Sequence, residues 1–64
     1  MARKKKVFSV ADFELMIDTA TEVRTVSAVV VIAMGQVAEK KMSPYGFAGV
    51  LRKASDKIYS ISNN

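Results

Sequence analysis

Val10, Phe13, Met16, Ile17, Ala20 and Val23 recur three and four residues apart, with Asp12, Thr19 and Glu22 falling elsewhere. That spacing places the apolar set on one face of a helix over about residues 10–23. Ser9 followed three residues later by Asp12 reads as a capping box, Asp standing where Glu is commoner. Phe8, just outside the cap, is placed to pack back against the helix as a hydrophobic staple. Asp12 and Glu14 fall in the first turn, where they suit the positive end of the helix dipole.

The next stretch carries two signals. Thr25, Val26, Val29, Val30, Val31 and Ile32 are β-branched, which favours a strand or a helix held by packing. Ala28, Ala33, Met34, Gln36, Ala38, Glu39, Lys40 and Lys41 are good helix formers or compatible with one. No Pro and no turn dipeptide separates the two sets, so one helix over about residues 26–42 is expected, with a strand at 24–32 as the alternative. Its first half is apolar nearly all round, and such a helix must be covered on every side.

Ser43-Pro44 marks a boundary, because Ser is a strong N-cap and Pro is favoured at the first helical position. A last helix is expected over about residues 44–60, with Phe47, Val50, Leu51, Ala54, Ile58 and Ile61 as its apolar stripe and frayed residues beyond. The fold class is therefore all-α, with two to three helices. A chain of 64 residues encloses a marginal core and, with no Cys to staple it, is expected to complete that core by homo-oligomerisation.

Charge divides the chain into a basic N-terminal arm, residues 1–8, and one small helical domain, residues 9–64. Arg3, Lys4, Lys5 and Lys6 open a sequence with ten cationic and six acidic side chains, a formal charge of +4. Residues 9–33 are acidic, with Asp12, Glu14, Asp18 and Glu22 against Arg24, and the remainder is basic again. Such basic segments serve either to neutralise the acidic one or to meet an anionic partner. Asp12, Glu14 and Asp18 interrupt the apolar run that a signal peptide would place after its basic start, and the stretch from Val26 to Ala38 is shorter than a spanning helix needs, so a cytoplasmic protein is expected, in the host cytoplasm if it is viral. His, Cys and Trp are absent. Without the usual general base, thiol nucleophile and soft-metal ligands, the chain is read as a non-enzyme with no cofactor and no metal.

Two groups of residues are candidates for binding. Arg3, Lys4, Lys5 and Lys6 supply affinity for phosphates through counterion release, without any pocket. The start of the last helix offers Ser43, Tyr45 and Gly46, with Arg52 and Lys53 further along. Its free N–H groups attract an anion, Tyr45 can stack on a base, and the cations can reach a phosphate. The competing reading has the glycines permitting close helix packing. The stretch Val37-Ala38-Glu39-Lys40-Lys41-Met42-Ser43-Pro44-Tyr45 resembles the V-A-E-x-x-G-V-S-P-Y segment of MerR-type regulators, although its turn is one residue shorter and lacks the glycine. That resemblance implies a helix-turn-helix with residues 43–53 at the major groove and the arm on backbone phosphate. The expected function is nucleic-acid association by a small homo-oligomeric protein. Two alternatives stand beside it: an oligomer that sequesters a small anion such as a nucleotide, and an assembly subunit of a viral or mobile-element particle.

Overall fold

A computed structural model describes residues 7–63. It contains three helices, α1 (Val10–Thr19), α2 (Val23–Ala38) and α3 (Pro44–Ser62), each packed against the other two. No strand occurs among the described residues, so 24–32 is helical and the strand alternative fails. The β-branched run is held in a helix by burial, since Val26 and Val29 are enclosed between α1 and α3. The basic residues Arg3, Lys4, Lys5 and Lys6 lie outside the described part.

The long-range contacts give the topology. Val10 touches Gly46 at the start of α3, and Asp18 meets Lys53 and Lys57 further along it, so α1 and α3 run parallel. Ser27 and Val31 share a groove with Leu51, Ser55 and Ile58, which makes α2 and α3 an antiparallel hairpin. The chain thus runs up, down and up again. Phe13, Ile17 and Ala20 meet Val26, Val29, Ala33, Val50 and Ala54 in one core.

The ends of α1 follow from local chemistry. The capping box forms in both directions: the Asp12 N–H donates to Ser9 Oγ at 3.1 Å and the Ser9 N–H to Asp12 Oδ2 at 2.9 Å. Phe8 meets Phe13 with ring centroids 5.6 Å apart, completing the staple. The helix stops at Thr19, short of the expected residue 23. Thr19 Oγ1 donates back to the Leu15 and Met16 carbonyls, a competition with the backbone that weakens helix continuation. Ala20 then turns extended and inserts into the core. Lys57 donates to the Asp18 carbonyl at 2.9 Å, satisfying from α3 one of the groups that a helix end leaves open.

α2 correspondingly begins at Val23 and ends at Ala38, earlier at both ends than expected. Its C-terminus closes as a Schellman motif: the Lys41 N–H donates to the Gln36 carbonyl at 2.8 Å and the Lys40 N–H to that of Val37 at 3.0 Å. The motif requires a left-handed residue, and Lys40 takes it at φ 62°. α3 starts as expected, with Ser43 Oγ accepting from the Gly46 N–H at 3.0 Å and Pro44 at the first position. It continues to Ser62, two residues past the expected end.

One polar side chain sits in the core region. Gln36 is 7% exposed, and its amide binds the backbone of Phe8 twice, accepting from the N–H and donating to the carbonyl, both at 2.8 Å. The side chain thereby acts as a one-residue strand partner for the segment entering α1. A domain of this size has a total stability of roughly 3–10 kcal/mol at 0.05–0.15 kcal/mol per residue, so this pair of hydrogen bonds is a large fraction of it. Gln36→Leu keeps the volume and removes both hydrogen bonds to Phe8, which costs about 2 kcal/mol. Chemical denaturation should show that loss, together with faster amide exchange at Phe8 while α3 stays protected; an unchanged midpoint would refute the role.

Candidate functional site: the α2–α3 corner

The corner between α2 and α3 gathers more of the candidate chemistry than any other described surface. Gln36 anchors Phe8 one turn before α2 ends, and Val10 packs on Gly46 one turn into α3. Val7, to which the basic run is joined, therefore lies at the end of the bundle that carries Lys40, Lys41, Ser43 and Tyr45. Lys40 and Lys41 are exposed, and Tyr45 is 90% exposed. Lys40, Lys41, Met42, Ser43 and Pro44 line an open groove here with Val37. Lys41 has Glu39 Oε1 at 3.9 Å, a long and solvated pair, which leaves its charge largely available to a ligand.

The expected site residues divide. Ser43, Tyr45 and Gly46 share the corner. Ser43 already uses its hydroxyl as the α3 cap. Gly46 serves packing, since a Cβ there would come within 2.8 Å of Val10 Cγ2. Arg52 and Lys53 lie further along α3, seven and eight residues past Tyr45, about 10–12 Å by helical rise. Lys53 pairs with Asp18 at 3.1 Å and Lys57 donates to the last turn of α1, so both cations are engaged by the first helix. Arg52 lines a charged groove with Glu14, Asp18 and Asp56 and forms no ion pair among the described residues.

Sequence reading passed over Lys40, Lys41 and Gln36. The signal for the first two was a lysine pair abutting Ser-Pro. For Gln36 it was one polar residue in register with Val26, Val29 and Ala33 on the buried face of α2. The likeness to a helix-turn-helix does not extend to the packing. Helices in that motif cross at roughly 90–120°, whereas α2 and α3 stay side by side from the corner to Ser27 and Ile58. No group of His, Cys, Asp or Glu among the described residues is arranged to hold a metal ion. No described helix is long and apolar enough to cross a membrane. No family model, curated protein or solved structure matches the chain.

Lys40 is the corner's strained residue, for left-handed backbone costs an L-residue other than Gly or Asn about 1–2 kcal/mol. Lys40→Gly relieves that strain against a larger unfolded-state entropy, and a net stabilisation of about 1 kcal/mol is expected. Gly46→Ala should instead destabilise by about 1 kcal/mol by overpacking against Val10, while Gly49→Ala, with open space around its Cβ, should stabilise by up to about 1 kcal/mol. Thermal unfolding of the three variants checks the order.

Proposed function

We propose that this is a non-enzymatic binding protein that associates with nucleic acid through the α2–α3 corner and the basic segment joined to it, working as an assembly of identical chains. The observation that carries the reading is the Gln36–Phe8 clamp, which ties Phe8, two residues past Lys6 in the sequence, to the corner bearing Lys40 and Lys41. The chain thus enters α1 at the end of the bundle that carries Lys40 and Lys41. The strained Lys40 adds support, because it keeps a charge where glycine would be the more stable choice. Tyr45 stands beside these cations with its ring in solvent, as a base-stacking residue would.

The open shape of the corner favours a polymer over a small nucleotide. Ser43 has its hydroxyl committed to the helix cap, and Lys53 is paired with Asp18. An assembly role finds its own support in the apolar outer face of α2, where Val31, Ile32 and Met34 are exposed.

Affinity for short duplex and single-stranded oligonucleotides, measured across a salt series, tests the reading. Each phosphate neutralised contributes about −0.9 to the slope of log K against log salt on duplex DNA. Deleting residues 1–6 should flatten the slope by up to about 3.6, and Lys40→Ala with Lys41→Ala by up to about 1.8. Lys40→Gly should bind more weakly while being more stable, a combination that structural damage does not produce. Tyr45→Ala should weaken single-strand binding by about 1–3 kcal/mol. Slopes unmoved by both cation changes would remove the proposal. A gain of thermal stability with mononucleotides alone would replace it with the sequestering reading.

A further inference from the structure

Two sides of the bundle differ in what they offer to solvent. The groove between α1 and α3 is lined by Glu14, Asp18, Arg52, Lys53, Asp56 and Lys57, as a solvated side should be. The groove between α2 and α3 is lined instead by Ser27, Val30, Val31, Leu51, Ser55 and Ile58, none of them charged. Val31 is 65% exposed there and Leu51 43%.

The helical spacing extends this side in both directions. On α2, Val23, Ser27, Val30, Met34 and Val37 recur at steps of four and three, and on α3 Ala48, Leu51, Ser55, Ile58 and Ser62 recur at steps of three and four. Neither stripe contains a residue of the buried set, which on α2 is Val26, Val29, Ala33 and Gln36 and on α3 Val50 and Ala54. A repeat of 3.5 residues is the spacing at which helices of separate chains pack knob into hole. Along α3 the stripe also alternates in size: Ala48 and Ser55 are small, Leu51 and Ile58 large.

We infer that the α2–α3 side is the docking site for the same side of a second copy, the two hairpins meeting as a four-helix bundle about a twofold axis perpendicular to the helices. The axis passes between Ser27 and Val30 on α2. Because α2 and α3 run antiparallel with Ser27 and Ser55 in one groove, it passes also between Leu51 and Ser55 on α3. Each helix then lies antiparallel on its own counterpart. Leu51 comes over the partner's Ser55, Ile58 over the partner's Ala48 and Val30 over the partner's Ser27, so each large side chain meets a small one. A twofold parallel to the helices would instead stack Ser27 on the partner's Ser55 and Val30 on the partner's Leu51, small on small and large on large. Isologous contact needs a patch that complements itself, and the alternation supplies one on both helices about a single axis.

The side is also large enough. The accessible surface is 4896 Å², and the three described helices divide it among three two-helix sides. One such side exceeds the roughly 800 Å² per partner that a specific interface buries. Covering it supplies apolar burial that a small chain without disulfides otherwise lacks.

This inference deepens the self-association in the proposed function and is tested without nucleic acid, so either can fail alone. Sedimentation equilibrium of the full chain at micromolar concentration should show a dimer. Ser55→Glu, at an exposed position, should give a monomer with unchanged helix content. Ser55→Leu and Ala48→Leu should each weaken the dimer about tenfold, equal to about 1.4 kcal/mol, by setting large against large. The chain has no Cys of its own, so Leu51→Cys mixed with Ser55→Cys should form an interchain disulfide faster than Ser27→Cys mixed with Ser55→Cys. A wild-type monomer, which would leave this side to a different protein, would overturn the proposal. So would a dimer indifferent to Ser55→Glu, one strengthened by Ser55→Leu, or faster crosslinking of the Ser27→Cys mixture.

Discussion

The double hydrogen bond between the Gln36 amide and the Phe8 backbone is the constraint on which the rest of this bundle depends. It joins residues 28 positions apart in sequence and fixes where the chain enters α1. Phe8 is then held over Phe13, Ser9 is placed to cap, and Val10 comes to rest on Gly46. Each of these contacts is local in sequence or small in area. What aligns them is a side chain that offers a donor and an acceptor at once, a combination no apolar residue can replace and no carboxylate can copy.

The electrostatics divide in the same way. Along α1 and the middle of α3, cations are spent on the fold: Lys53 in an ion pair with the Asp18 carboxylate, Lys57 in a hydrogen bond to the Asp18 carbonyl. At the corner, Lys40 and Lys41 answer to no comparable buried or short-range demand. A positively charged end on a bundle whose flank is internally neutralised gives the molecule a direction in an electric field.

Much of the fold was legible in the sequence. Three helices, the reciprocal Ser9–Asp12 cap, the Phe8 staple and the Ser43-Pro44 start all follow from short-range rules, and those are the features that appear as expected. The boundaries of α1 and α2 were misplaced because tertiary contacts decide them. Val23 continues the periodicity of α1 but begins α2, since burying Ala20 requires an extended turn there. Lys40 and Lys41 look helical by composition, yet the Schellman closure ends the helix before them. The site was legible in kind rather than in membership. Lysine and serine-proline signals mark the corner, but only the packing shows that Lys53 is paired with Asp18 and that Gly46 is structural.

The exposure of the tyrosines has a consequence for how this molecule reports on itself optically. Tyr45 and Tyr59 are the only tyrosines and Trp is absent; they are 90% and 73% exposed, while the buried aromatic is Phe13, the weakest emitter of the three types. Both phenols therefore sit in water before and after unfolding, and their fluorescence is a poor witness to the core. Tyr45 stands alone at the corner, with Tyr59 far along α3. A quenching of tyrosine emission by an added polyanion would report contact at that end of the bundle, with almost no background from the fold.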